Sequence, residues 1–288
     1  MIPSAFQYFA PTTVAEAVGL LQQHGDDAKL LAGGHSLLPA MKLRLTQTGV
    51  LVDLGQIGEL KSISMDGGVS IGALATYRMI SSSSEVREAC AVLAECVDQI
   101  GDIQVRNRGT IGGSLAHADP AADLPALALA LEATISAQGP SGARTIAASD
   151  MFVDMLTTAL AADEVITKIT FPRLGQGEGA AYAKLRNPAS RYAIVGVAAY
   201  VKRGSDGKIA SARVAITGAG PKAVRQSAVE AALTGSSGDS DAIAAASEHV
   251  GHDMEFLGDI HASEDYRRAM VKVYARRAIT SAVERAGG

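Results

Sequence analysis

Thr13 followed by Glu16 forms a capping box, and Val14, Ala17, Val18 and Leu21 fall at i, i+3, i+4 and i+7 before Gly25. This pattern predicts a short amphipathic helix. An apolar run, Lys29-Leu30-Leu31-Ala32, then breaks on Gly33-Gly34-His35-Ser36. A helical turn follows through Leu43, and a second apolar run covers Val50-Leu51-Val52-Asp53-Leu54. The order helix, strand, glycine loop, turn, strand predicts a small layered α/β unit whose strands can pair in parallel.

From Val69 onward short strands such as Val69 to Ala73 are expected. They are interrupted by a longer helix with Val86, Cys90, Leu93, Val97 and Ile100 on its apolar face. A second glycine break, Gly109-Thr110-Ile111-Gly112-Gly113-Ser114, leads to the polar stretch Asp119-Pro120-Ala121-Ala122-Asp123. Next come a short helix, paired strands around Pro140 to Gly142, and a strand from Glu164 to Phe171 closed by Pro172. Gly175-Gln176-Gly177-Glu178-Gly179 reads as a linker. The expected domains are therefore 1–176, divided into a small lobe 1–55 and a larger sheet lobe 56–176, and 177–288. In the second domain, runs Ala193 to Lys202 and Lys208 to Thr217 are joined through Ser205-Asp206-Gly207, a hairpin signal. The last helix is expected from the N-cap Ser263 to about Ala286, with Tyr266, Met270, Val273 and Ile279 on its apolar side.

Length and composition agree with two folded domains: 288 residues, 48% hydrophobic, 19% charged, with only 4% aromatic, no Trp and 30 Gly. A formal charge of -4 supplies no basic field for nucleic acid. The longest apolar run, Leu124 to Leu131, falls short of the ~20 residues of a membrane-spanning helix. With no secretory signal at Met1-Ile2-Pro3-Ser4, the expected location is the cytoplasm. The only two cysteines, Cys90 and Cys96, cannot supply the four thiolates of an iron-sulfur cluster, nor a C-x-x-C pair.

The two glycine loops carry the chemistry. Paired glycines let consecutive backbone N–H groups converge into an anion nest, and the neighbouring Ser and Thr hydroxyls add donors. The plain alternative is two tight turns. Neither loop matches G-x-G-x-x-G or the Walker pattern. Elsewhere, His249, His252 and Glu255 read as surface residues, Gly218 to Lys222 as a turn leading into a helix, and Arg268, Lys272 and Arg276 as a solvated stripe or a subunit contact. Asp53 reads as a local cap.

Ala32-Gly33-Gly34-His35-Ser36 after a strand, Arg106-Asn107-Arg108-Gly109-Thr110-Ile111-Gly112-Gly113-Ser114, and Asp119-Pro120-Ala121-Ala122-Asp123-Leu124-Pro125 together resemble the FAD-binding medium subunits of molybdenum hydroxylases. Aerobic carbon monoxide dehydrogenase and quinoline oxidoreductase belong to that family, and the similarity extends across nearly the whole chain. The resemblance implies an α+β fold: a two-lobed FAD-binding domain of the vanillyl-alcohol-oxidase type, followed by a smaller α+β domain. It implies that Leu31, Ala32, Gly33, Gly34, His35, Ser36 and Leu37, with Thr110, Ile111, Gly112, Gly113 and Ser114, surround the FAD diphosphate. Ser114 stands where many relatives carry Asn. Asp123 would accept a hydrogen bond from a sugar or ribityl hydroxyl, and Lys184 would approach the isoalloxazine. Ile100 and Ile166 would pack apolar surface on the cofactor, and Tyr192 would lie near the ring.

The implied function is that of an FAD-carrying electron-transfer subunit. It would take electrons from an iron-sulfur small subunit and pass them to an external acceptor such as a quinone. A large subunit would bind the molybdenum pterin cofactor, the whole forming a dimer of heterotrimers. No catalytic acid-base pair and no metal site are expected in this chain. The alternatives are a stand-alone flavin oxidoreductase of the same fold, or a non-catalytic scaffold subunit whose glycine loops are turns.

Overall fold

The computed structural model describes residues 2–287. The chain begins with strand β1 (Gln7–Phe9), helix α1 (Val14–His24), β2 (Ala28–Leu31), α2 (Leu37–Lys42) and β3 (Val50–Asp53). Thr13 and Glu16 form the capping box, and Val14, Ala17, Val18 and Leu21 are the buried face of α1. The three strands make a parallel sheet in the order β1-β3-β2. The sequence signal for β1 is weak because all three of its residues are open to solvent to some degree.

The middle lobe contains β4 (Ile63–Met65), β5 (Val69–Gly72), α3 (Tyr77–Ser82), α4 (Ser84–Asp98), α5 (Ile103–Arg108), α6 (Ile111–His117) and α7 (Asp123–Ala130). It continues with β6 (Thr134–Gly139), β7 (Gly142–Ala147), α8 (Ala148–Met151), β8 (Phe152–Asp154), β9 (Thr157–Thr158) and β10 (Val165–Phe171). Five of the strands form an antiparallel sheet in the order β4-β5-β10-β6-β7. In α4 the apolar periodicity holds, but the backbone leaves helical geometry at Cys90, and Ile100 lies beyond the helix end. Both cysteines are buried and unpaired; desolvation pushes the Cys90 thiol up to about 12 and Cys96 well above its ordinary value, so neither is a thiolate at neutral pH.

Helix α7 is the structural pivot. All eight of its residues are buried, including Leu124, Leu127 and Leu129, each contributing about 1.5–3 kcal/mol by leaving water. The run of leucine and alanine suits a helix interior, and Pro125 falls within the first turn, where a missing N–H costs nothing.

The last part of the chain is a four-stranded antiparallel sheet of β11 (Glu178–Arg186), β12 (Ala193–Arg203), β13 (Ile209–Thr217) and β14 (Val224–Arg225) with α9 (Ser227–Leu233), α10 (Ser240–Glu248) and α11 (Glu264–Ala286). Glu178 and Gly179 of the expected linker already belong to β11. Alternation along the strands divides the sheet. Ala180, Tyr182, Ala198, Tyr200 and Ala215 enter the core of the middle lobe, while Val195, Val197, Val201, Val214 and Ile216 pack with α9, α10 and α11. With both faces covered, β12 is buried from Ala193 to Val201.

Two sequence expectations are corrected here. The buried side of α11 is Arg267, Val271, Ala275, Ala278, Ile279, Ala282, Val283 and Ala286, whereas Tyr266 and Val273 are exposed. Small alanines let the helix lie close on the sheet, which outweighs the larger apolar residues as a guide to the packed face. Gly218 to Lys222 leads into β14 and not directly into a helix. Among the described residues no helix is long and apolar enough to cross a membrane.

Gly19 lies on the exposed side of α1, where an added Cβ meets nothing within 4 Å. Gly19→Ala is expected to raise stability by about 0.5–1 kcal/mol, read as a higher denaturant midpoint at unchanged m-value.

Candidate functional site

The first glycine loop links β2 to α2. Gly34 has φ of 78°, a left-handed conformation that favours glycine. The main-chain N–H groups of Gly33, Gly34, His35, Ser36 and Leu37 meet no protein acceptor among the described residues. They form a run of main-chain donors with their hydrogen-bonding capacity in reserve, the arrangement that binds phosphate oxygens. The loop also touches the second one: a Cβ on Gly33 would stand 2.1 Å from the Arg108 carbonyl oxygen and 3.0 Å from the Gly109 Cα. Only glycine permits that approach. Leu31 closes β2 beside the loop, half-buried.

The second loop is different. Thr110 caps α6, its Oγ1 accepting from the Gly113 N–H at 3.2 Å. Ile111 donates to the Ala75 carbonyl at 3.1 Å, Gly112 to the Ala73 carbonyl at 2.9 Å, and Ser114 to the Thr110 carbonyl at 3.0 Å. Ile111 and Gly112 are buried against the sheet lobe, where a Cβ on Gly112 would collide with Ala73. The sequence suggested two equivalent nests. In the fold the second spends its amides from 111 to 114 on anchoring α6, because its glycines serve close helix packing. What it retains for a ligand is hydroxyl chemistry at Thr110 and Ser114. Ser114 lies beside the buried phenol of Tyr77, whose pKa burial pushes upward.

Beyond these loops lies a buried charge cluster. Asp123 opens α7, where its charge also favours the helix N-terminus. Tyr182 donates to Asp123 Oδ1. Lys184 Nζ donates to Asp123 Oδ2 at 2.8 Å and to the Gln99 carbonyl at 3.2 Å. The side chains of Lys184 and Asp123 are only 1% and 4% exposed. Desolvation raises the Asp123 carboxyl, opposed by the Lys184 charge and by the hydrogen bonds from Lys184 and Tyr182. Burial and the Asp123 charge together push the Tyr182 phenol well up, so it remains a donor.

Tyr192 follows a turn in which Asn187 Oδ1 accepts from Ala189 at 2.9 Å and Ser190 at 3.0 Å, with Arg191 in the left-handed region. Tyr192 is 47% exposed, and its phenol lies beside Ser36 of the first loop. Ile100 is half-buried next to Gln99, whose carbonyl takes Lys184. Ile166 lies in β10 at 5% exposure, as part of the core of the middle lobe.

The fold thus brings the two glycine loops together. It pairs Asp123 with Lys184 and brings Tyr192 beside Ser36. Sequence reasoning missed Tyr77, Gln99 and Tyr182. Tyr182 was accessible in principle, since two residues before Lys184 on a strand means the same face. Of the other candidates, His249 and His252 are exposed, with rings meeting edge to face at 5.7 Å. Asp53 accepts from the Gly55 N–H and the Tyr8 hydroxyl.

Residues 4–174 match the family described as the FAD binding domain in molybdopterin dehydrogenase. Residues 180–282 match the CO dehydrogenase flavoprotein C-terminal domain. The carbon monoxide dehydrogenase medium chain of Hydrogenophaga pseudoflava is 42% identical, covering 98% of each chain. The nicotine 6-hydroxylase medium subunit of Paenarthrobacter nicotinovorans is 37% identical over 96% of this chain and 97% of its own. Among solved structures, carbon monoxide dehydrogenase from Hydrogenophaga pseudoflava superposes with a TM-score of 0.96 at 43% identity, covering 99% of each chain. Quinoline 2-oxidoreductase from Pseudomonas putida 86 gives a TM-score of 0.93 at 32% identity, again over 99% of each chain.

Asp123→Asn leaves the Lys184 ammonium buried without its counter-charge and is expected to cost about 3–5 kcal/mol in denaturant unfolding. Lys184→Met leaves the carboxylate alone, but Asp123 can take up a proton. Its folded pKa then lies still further above its unfolded value. The cost of Lys184→Met is therefore expected to be smallest below the unfolded carboxyl pKa and to grow as pH rises through and above it. Unfolding measured from pH 4 to pH 8 checks the slope.

Proposed function

The chain belongs to the FAD-binding medium-subunit family of the molybdenum hydroxylases, and from that premise we propose that it relays electrons from the iron-sulfur clusters of a small partner subunit to an external acceptor such as a quinone. It is an oxidoreductase subunit. Substrate is oxidised on a third, molybdenum-binding subunit, and the assembly is a cytoplasmic dimer of heterotrimers. Bound FAD supplies the redox chemistry that the side chains of this chain lack.

The residues present fit that group. The N–H groups from Gly33 to Leu37, beside Leu31 and Ala32, hold the diphosphate. Thr110 and Ser114 add hydroxyl donors, while Ile111, Gly112 and Gly113 fix the helix that carries them. Asp123 holds a sugar or ribityl hydroxyl, accepted at Oδ2, the oxygen that Tyr182 leaves free. Lys184, held by Asp123 and the Gln99 carbonyl, would bring its positive charge near the isoalloxazine. Ile100 and Ile166 supply apolar contact and Tyr192 flanks the ring. Residues 1–176 form the FAD domain and 177–288 the second domain.

The observation that carries this reading is the run of unspent amides from 33 to 37, pressed against the second loop by Gly33. The complex, produced with its partner subunits, is expected to release FAD on heating; release of FMN, or of no flavin, counts against the reading. Gly33→Val is expected to lower FAD content at least tenfold, because its Cβ would meet the Arg108 carbonyl. Gly19→Ala serves as the control and keeps full FAD. Full FAD in Gly33→Val rejects the loop as the diphosphate cradle.

A further inference from the structure

Strand register places Lys184 opposite Gly196, and Gly196 opposite Thr217. These residues form one cross-strand row on the face of the C-terminal sheet that meets the middle lobe. Tyr182 shares that face and crosses the row at its centre: a Cβ on Gly196 would lie 2.2 Å from the Tyr182 hydroxyl and 2.8 Å from Thr217 Cγ2. Glycine at 196 is what lets the phenol reach Asp123.

The row bears on a single segment. Tyr182 and Lys184 donate to the two carboxylate oxygens of Asp123. The Thr217 hydroxyl, on a fully buried residue, lies 2.9 Å from the Pro120 carbonyl and 2.7 Å from the Ala122 carbonyl. Its single proton is shared between those two acceptors. Gly218 donates to the Pro120 carbonyl at 2.8 Å, and Ala193 to the Ala121 carbonyl at 3.3 Å. The carbonyls from Pro120 to Ala122, and the carboxylate that follows, are thus all bonded by residues of β11, β12, β13 and the turn after it. The segment itself contributes only its own turn, with the Ala121 N–H on Asp119 Oδ1 at 2.8 Å and the Ala122 N–H on the Asp119 carbonyl at 3.0 Å.

Resting on the reading of Asp123 and Lys184 as FAD-site residues, we propose that Thr217 and Tyr182 are positioning residues for the flavin. Through the Pro120–Ala122 carbonyls and the Asp123 carboxylate, the C-terminal sheet sets where Asp123 and Lys184 stand. FAD affinity and the electronic surroundings of the flavin are then governed partly by side chains that do not touch it. A purely structural weld between the two domains would instead lower stability and leave a bound flavin unchanged.

The assembled complex, stripped of flavin, is titrated with FAD in wild-type, Thr217→Val, Thr217→Ser and Tyr182→Phe forms. Flavin fluorescence quenching gives the Kd, and visible circular dichroism reports the flavin environment. Thr217→Val is expected to weaken FAD at least tenfold and to alter the visible dichroism. Thr217→Ser, which restores the hydroxyl, returns the Kd to within twofold of wild type. Tyr182→Phe removes one oxygen from an otherwise isosteric ring and is expected to weaken FAD at least threefold with an altered spectrum. If Thr217→Val does not assemble, Tyr182→Phe alone decides. Wild-type affinity and dichroism in the assembled variants overturn the proposal, as does an equal loss in Thr217→Val and Thr217→Ser. Gly33→Val separates the two readings. Loss of FAD there alongside normal binding by the other variants rejects only the positioning role, whereas normal binding by Gly33→Val rejects the FAD reading beneath it.

Discussion

The burial of one carboxylate governs how this chain is assembled. A charged group inside a protein costs several kcal/mol unless it is paired and hydrogen-bonded. Asp123 lies at the start of a helix whose eight residues are all buried, so protein donors must carry most of its hydrogen bonding. Its partners, Tyr182 and Lys184, come from β11, beyond the linker segment. The pairing therefore fixes more than a local contact: it commits the C-terminal sheet to one orientation against α7 and α4. The same orientation puts Ala180, Tyr182, Ala198 and Tyr200 into the core of the middle lobe.

The two glycine loops divide the remaining work. One keeps its amides unspent and gains its shape from Gly34 in the left-handed region. The other spends its amides on anchoring α6, and its glycines admit the helix to the sheet lobe. Gly33 joins them, since the first loop could not lie on the Arg108 carbonyl with any side chain at that position. A nest left open and a helix firmly anchored are complementary. A rigid wall opposite a set of free donors gives a ligand a fixed place without the ordering cost of a flexible loop.

Much of this was legible in the chain because the signals are local. The capping box at Thr13 and Glu16, the Asp206-Gly207 hairpin and the Ser263 cap each depend on a few consecutive residues, and each forms. What stayed hidden depends on long-range fit. No periodicity reveals that α11 buries its alanines and leaves Tyr266 and Val273 in water, because that choice is made by how closely the helix must approach β11 and β12. The unequal fate of the two glycine loops is equally non-local: the acceptors that consume the second loop's amides, Ala73 and Ala75, belong to the segment after β5. Tyr182 and Thr217 carry no motif, and they matter only through strand register.

The double coverage of the C-terminal sheet bears on how such chains diversify. A module that owns its entire core can be exchanged between relatives by recombination at its borders. Here β11, β12 and β13 lend one face to the preceding lobe, so a crossover near residue 177 would graft a foreign surface onto α7 and onto the carbonyls before it. Substitutions on the two sides of that seam must therefore drift together, and hybrids between distant cousins would inherit mismatched halves of a single interior.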